Sequence, residues 1–238
     1  MRIKLTLENK RGIHLPTNYK YLFQSYIYNS FNEINNFHDE GLFFQKKNLK
    51  PFCFSDIISK NISVENKIIN FGTSAEIFIS SPVELLMDLI IKNVLKEKYI
   101  RIGSENIKVK NVSATPYIFS NEIIVKTISP ITIYKINQDK STTYYSPGEN
   151  LFFSILQKNF STKLNFFRIP DETFKITSEK YNPKDEKIIM YKNNFIIKAW
   201  KGLYRIKGSS ESINLALDWG IGMKNSAGFG MIQPVKYF

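Results

Sequence analysis

The chain opens on Arg2-Ile3-Lys4-Leu5-Thr6-Leu7, where polar and apolar positions alternate with the period of two that a half-buried strand requires. Beyond Pro16 the spacing changes. Leu22, Phe23, Tyr26, Ile27, Phe31 and Ile34 form a wide apolar stripe and predict a helix that buries one face. Extended segments are expected around 51–58, 62–71 and 75–80. Ser81, Pro82 and Glu84 then have the arrangement of a capping box with proline in the first turn. They predict a second helix to about residue 96, with Val83, Leu86, Ile90 and Val94 on its core side. Another alternating stretch, 107–112, completes a β-α-β-β-α-β order.

The second half repeats that order. Residues 122–136 read as a strand or a bent pair interrupted at Pro130, and 148–164 as a helix with Leu151, Phe152, Ile155, Leu156 and Phe160 on one side. Strands are expected near 173–178, 187–191 and 195–207. A shorter helix over 210–219 carries Ile213, Ala216 and Leu217, Gly220 supplies its stop, and 230–236 is extended. This is the order of the ferredoxin-like split βαβ unit. The expected fold class is therefore α+β, two tandem ferredoxin-like (RRM-like, βαββαβ) domains at 1–112 and 113–238. The 238 residues suit two such units better than one.

Composition adds a partner class. Hydrophobic residues make up 43% and aromatics 14%, enough apolar material for two cores. The formal charge is +12, from 16 basic against 11 acidic residues up to Val112 and 17 against 10 beyond it. Both halves are thus basic, which suggests one polyanion-attracting surface assembled from both; a Lys- and Asn-rich composition would bias a surface the same way. Cys53 is the only cysteine, so no internal disulfide and no thiolate zinc site can form, and a reducing, cytoplasmic setting is expected. No apolar run approaches the length of a membrane span.

The most distinctive stretch is Gly220-Ile-Gly222-Met-Lys224-Asn225-Ser226-Ala-Gly228-Phe229-Gly230, four glycines in eleven residues between a helix and a strand. Such density implies positive φ angles and close backbone approach. It also allows a run of outward N–H groups that would suit phosphate, with Lys224 as a mobile cation. A tight turn with purely conformational glycines explains the composition too.

This run resembles the C-terminal glycine-rich signature of the CRISPR-associated RAMP proteins, and its G-x-G-x-K-N-S-x-G-F-G form is most similar to the repeat-processing endoribonucleases, the sixth Cas family. The N-terminal half resembles the same family through Tyr28 in Ile27-Tyr28-Asn29-Ser30, His38 in His-Asp-Glu-Gly, and Lys50 before Pro51-Phe52-Cys53-Phe54-Ser55. The resemblance implies cleavage of CRISPR precursor RNA within its repeats by 2′-OH attack, leaving 2′,3′-cyclic phosphate and 5′-OH ends, with no cofactor. Tyr28 and His38 would be the acid/base pair, Lys50 the phosphate stabiliser, and Gly220, Gly222, Lys224, Asn225, Ser226, Gly228, Phe229 and Gly230 RNA-binding. Two alternatives stay open: Tyr28 is close enough to the apolar stripe to be a core aromatic, and Lys46 or Lys47 could replace Lys50.

Metal-free RNA cleavage needs a base, an acid and a cation, which histidine, tyrosine and lysine can supply. Asp39 and Glu40 are adjacent rather than spaced to converge on an ion, which disfavours a two-metal site and leaves no metal ligand to name. In the strand expected at 195–207, alternation places Lys201, Arg205 and Lys207 on one face, as a phosphate track or a solvated surface, and Trp200, Tyr204 and Ile206 on the other. The aromatic RNP1 pattern of base-stacking RRM sheets is missing, so RNA is expected to be read by backbone charge and local shape. The expected partner is CRISPR repeat RNA. The resemblance leaves open a homodimer, a place in a multi-subunit CRISPR interference complex, and a non-catalytic RAMP scaffold that would need no His38.

Overall fold

A computed structural model describes residues 1–32, 34, 37, 41–44, 47–192 and 195–238, with the side chains of 43, 44 and 47 excepted. The first sheet is antiparallel and built from β1 (Arg2–Glu8), β2 (Cys53–Phe54), β3 (Ser74–Ser80), β4 (Tyr99–Ile102) and β5 (Glu105–Ala114), in the spatial order β2-β3-β1-β5-β4. The second contains β6 (Glu122–Thr127), β7 (Lys175–Lys180), β8 (Leu203–Lys207) and β9 (Ile232–Tyr237), in the order β7-β8-β6-β9. In both, the first strand lies between the third and the last of the βαββαβ unit, the ferredoxin-like arrangement. The last strand of the first sheet runs to Ala114, and residues 115–121 connect the halves.

Alternation in β1 buries Ile3, Leu5 and Leu7 while Lys4 on the other face pairs with Glu76 at 2.8 Å. Those three meet Phe23 and Ile27 of α1 (Tyr19–Asn29) and Leu86, Ile90 and Val94 of α2 (Glu84–Glu97) in the first core. The second core joins Ile123 and Val125 to Phe152, Leu156 and Phe160 of α3 (Asn150–Phe166) and Ile213, Ala216 and Leu217 of α4 (Ser210–Trp219). Each buried side chain of this size contributes about 1.5–3 kcal/mol. Among the described residues no helix is long and apolar enough to cross a membrane.

Two expectations are corrected. The capping box at Ser81 does not form: its hydroxyl donates to the Pro51 carbonyl at 2.5 Å and accepts from the Val83 N–H, and α2 starts at Glu84 without a side-chain cap. The strand expected over 195–207 is two strands, Phe195–Trp200 and β8, broken at Lys201-Gly202. The break is held from β6, where the Thr127 hydroxyl accepts the Gly202 N–H at 3.1 Å and the Gly202 carbonyl accepts the Thr127 N–H. Phe195–Trp200 instead pairs with Glu186–Lys192 as a separate hairpin.

The two domains meet through α1. Tyr19, Phe23 and Ile27 enter the first core, whereas Lys20 and Gln24, four residues apart, reach the second domain. Lys20 is 4% exposed; its ammonium pairs with Asp56 at 2.5 Å and donates to the Gly228 carbonyl at 2.6 Å. The other Asp56 oxygen pairs with Lys201 at 2.9 Å. Burial acts to raise the Asp56 pKa, but Lys20 and Lys201 together carry it below the ordinary carboxylate range. Gln24 donates to the Ser226 carbonyl at 2.8 Å and accepts from the Tyr191 hydroxyl at 2.7 Å. A small apolar cluster of Cys53, Phe78, Ile128 and Met231 packs at the same junction.

Truncating one partner of a buried ion pair typically costs about 3–5 kcal/mol, and an exposed pair about 1 kcal/mol or less. Lys20→Met should therefore lower the unfolding free energy by about 3 kcal/mol in urea titrations, while Lys207→Met, which removes a solvent-screened pair with Glu122, should leave the urea midpoint close to that of wild type. Equal losses in the two variants would show that the Lys20 pair does not organise the junction.

Candidate functional site

Residues 220–230 link α4 to β9 as a folded wall. The glycines have packing reasons. A Cβ on Gly230 (φ +75°) would lie 1.8 Å from the Ile221 carbonyl oxygen, and one on Gly228 (φ +81°) would lie 2.3 Å from the Phe54 ring of the first domain. The amides divide: those of Gly222, Lys224, Asn225 and Ser226, on the cleft side, are left out of the backbone hydrogen bonding among the described residues, while others turn inward. The N–H groups of Gly220, Ile221, Met223, Ala227, Gly228 and Gly230 all donate to backbone carbonyls. Gly220, Phe229 and Gly230 are buried; Gly222, Lys224, Asn225 and Ser226 border open space.

Two side chains hold the wall from inside. Asn225, 6% exposed, donates through Nδ2 to the Ile221 carbonyl at 3.2 Å and the Phe229 carbonyl at 2.9 Å. Its Oδ1 accepts from the Lys163 ammonium at 2.6 Å, which also donates to the Gly220 carbonyl at 2.8 Å. Lys163 is 5% exposed and sits over the Trp219 ring at 5.3 Å. Burial pulls its pKa down to about 7, with the Cys53 thiol acting weakly the other way; burial pushes that thiol up to about 12.

Between this wall, α3 and the chain at 48–50 lies a cleft of about 590 Å³. Lys50, Lys135, Lys158, Lys163 and Lys224 line it, with no carboxylate among its described lining residues. Lys224, in a left-handed conformation, lies 5.2 Å from the Tyr134 ring centre and 5.0 Å from that of Phe195, and burial lowers its pKa. Asn159 also lines the cleft, and its Oδ1 is buried without a hydrogen-bond partner. The five lysines and the absence of a carboxylate among the described lining residues suit a ligand that brings negative charge.

Of the expected catalytic residues, Tyr28 and Lys50 come together. Tyr28 is 8% exposed, packed against Phe31, Phe37 and Phe52, and the Lys50 ammonium lies 5.2 Å from its ring centre. Lys50 lines the cleft, and its carbonyl accepts from the Trp219 indole at 3.2 Å. His38 and Lys46 lie outside the described residues, as does the Lys47 side chain. The cationic track does not form as a row: Lys201 turns to Asp56, Arg205 is paired with Glu122 and Glu179, and Lys207 with Glu122 at 2.8 Å.

Lys20, Asp56, Gln24 and Lys163 belong to no motif in the sequence. One signal was available: Lys163 occupies the stripe position that Phe152, Leu156 and Phe160 lead to on α3, where a lysine is unexpected. The polar four-residue spacing of Lys20 and Gln24 on an otherwise apolar helix was another.

Two ferredoxin-like domains closed over a glycine-rich wall define a RAMP-type protein. The chain belongs to the Cas6 family: the family description "CRISPR associated protein Cas6, C-terminal" matches residues 111–234, and "CRISPR-associated protein Cas6, N-terminal" matches residues 14–113. It is similar to CRISPR-associated endoribonuclease Cas6 1 of Methanocaldococcus jannaschii, 28% identical over 99% of this chain and 93% of that protein. CRISPR-associated endoribonuclease Cas6 of Pyrococcus furiosus is 25% identical over 97% of this chain and 88% of that one. A solved structure described as CRISPR associated protein Cas6 superposes with a TM-score of 0.79 at 25% identity, covering 99% of each chain. One described as a Cas6-related gene product of Pyrococcus furiosus shares the fold at TM-score 0.82 and 23% identity, over 99% of this chain and 98% of the other.

Gly230→Ala should cost at least about 2 kcal/mol in thermal or urea unfolding, since a left-handed φ and a backbone clash act together. A neutral substitution would mean that the wall can reshape.

Lys163 gives a pH signature. Between about pH 7 and the ordinary lysine value of 10.5 the unfolded chain holds a proton that the native chain does not, so native stability rises with pH across that window. The difference in unfolding free energy between wild type and Lys163→Met should follow this slope and flatten below about pH 7. A pH-independent difference would contradict the depressed ammonium.

Proposed function

We propose that this Cas6 protein cleaves CRISPR precursor RNA within its repeats, without a metal, and that the lysine-lined cleft is where the repeat binds. The observation that carries the proposal is that Lys50, whose ammonium lies 5.2 Å from the Tyr28 ring centre, lines a lysine-rich cleft together with the glycine-rich segment. Relatives named CRISPR-associated endoribonucleases that align over nearly the whole chain support it.

In the proposed reaction the 2′-oxygen attacks the adjacent phosphorus and the bond to the 5′-oxygen breaks, giving a 2′,3′-cyclic phosphate and a 5′-hydroxyl. One of Tyr28 and His38 takes the 2′-OH proton and the other protonates the departing oxygen. Lys50 offsets the charge that builds on the phosphoryl oxygens. Lys135, Lys158 and Lys224 neutralise flanking phosphates, and Ser226 adds a hydroxyl. Gly220, Gly222, Gly228, Phe229, Gly230 and Asn225 act through the shape of the wall. Lys201, Arg205 and Lys207, each engaged by carboxylates, add field rather than direct phosphate contacts. A reducing cytoplasm belongs to the same reading and suits the free, buried Cys53. So does assembly as a homodimer or within a multi-subunit CRISPR complex, which the mass of the RNA-loaded particle reads out.

The test follows cleavage and binding of end-labelled repeat RNA in excess EDTA. Wild type should cut, and His38→Ala and Lys50→Met should each slow cutting at least about tenfold with binding retained. Lys158→Ala combined with Lys135→Ala should weaken binding and reduce the slope of log affinity against log salt by about 0.7 per lost phosphate contact. Tight binding by every protein with cleavage by none would favour a scaffold and overturn the catalytic assignment.

A further inference from the structure

Lys163 is placed where packing alone would prefer an apolar side chain. It follows Phe152, Leu156 and Phe160 along the buried stripe of α3, lies over the rings of Trp219 and Phe160, and is 5% exposed. Its described hydrogen-bond partners are neutral: the Gly220 carbonyl at 2.8 Å, Asn225 Oδ1 at 2.6 Å and the Gly222 carbonyl at 3.5 Å. A buried ammonium with neutral acceptors alone is only partly compensated for the water it has lost.

The surroundings deepen that deficit. Lys158 lies on the same helix, Lys224 on the glycine-rich wall, Lys50 beside the strand Lys47–Leu49, and Lys135 on a short hairpin of Tyr134–Ile136 with Thr142–Tyr144. From β2 the facing group is the Cys53 thiol, which burial keeps neutral through the working range. From α4 it is the Trp219 ring, while the neighbouring Asp218 is turned to the amino terminus at 2.6 Å. The described groups around Lys163 therefore bring it no formal negative charge. An RNA phosphate in the cleft would.

We propose that Lys163 is a positioning residue that takes up a proton when RNA phosphates fill the cleft, and thereby fixes the glycine-rich wall against the bound strand. The inference rests on the cleft being the RNA interface. The neutral amine has two N–H donors and a lone pair for three acceptors; one proton from solvent converts it to an ammonium with three donors. Gly220, Gly222 and Asn225 are then all held, and Lys224 and Ser226, on the same segment, keep their place on the cleft lining. Its pKa of about 7 in the free protein places the change near neutrality.

The test is calorimetric titration of the full chain at pH 8 with repeat RNA carrying a 2′-deoxy nucleotide at the cleavage position, in phosphate and in Tris. The two buffers differ in ionisation enthalpy, so the pair of heats gives the number of protons bound. Wild type should take up about one proton more than Lys163→Arg, which retains a cation that does not titrate. Lys163→Met provides the same comparison if the arginine does not fit. Wild-type affinity should also fall by up to about tenfold for each pH unit above 7, a trend absent in the variants. Equal proton uptake by wild type and variant, with RNA bound by both, would overturn the role of Lys163. Unchanged affinity in Lys158→Ala with Lys135→Ala would instead remove the cleft as the RNA interface, and this inference with it.

Discussion

The relative placement of the two domains depends on the carboxylate of Asp56. It stands between Lys20, from the first helix of one domain, and Lys201, from the strand break of the other, and Lys20 also reaches the Gly228 carbonyl. Removing these charges from water costs several kcal/mol per ion, so net stability is not the strongest argument for the arrangement. Geometry is. The carboxylate has two oxygens and the arrangement uses both, which orients α1 towards the second domain. Gln24 then meets Ser226 and Tyr191, and Tyr28, four residues further along the helix, is carried with it.

The glycine-rich segment is held from opposite sides by two buried lysines, Lys20 at Gly228 and Lys163 at Gly220. Carbonyls inside a protein need donors, and a lysine at the end of a long stem can supply one across a domain boundary. Glycine permits both the positive φ angles and the close approach to Phe54 and Ile221. The segment consequently presents Lys224 and Ser226 at the cleft, while the amides of Gly220, Ile221, Met223, Ala227, Gly228 and Gly230 are engaged within the fold.

Much of the architecture was legible because it is local. Alternation marked β1, the helix over 210–219 has the expected extent with a Ser209 cap, and both halves have the expected ferredoxin-like order. What was not legible depends on partners far along the chain. Ser81 is a good cap until the Pro51 carbonyl competes for its hydroxyl, and 195–207 reads as one strand until Thr127 holds Gly202 at a turn. Lys201, Arg205 and Lys207 formed a plausible basic row because their carboxylate partners come from Asp56, Glu122 and Glu179. Tyr28 and Lys50 were found by resemblance, and the fold brings them within 5.2 Å. His38 lies outside the described residues, so its place in the site stays with the proposal.

The hydrogen bond from the Trp219 indole to the Lys50 carbonyl has a consequence for how the molecule can be divided. Lys50 belongs to the first domain by sequence, yet its backbone is anchored by the last helix of the second, and Leu49 beside it packs against the second core. The candidate site is therefore a property of the pair. A chain cut in the 115–121 connection would yield two fragments that each carry a sheet and a hydrophobic core, and neither would contain a finished cleft. The cleft would be complete again only when the two fragments reassociate, with the Trp219 indole back on the Lys50 carbonyl.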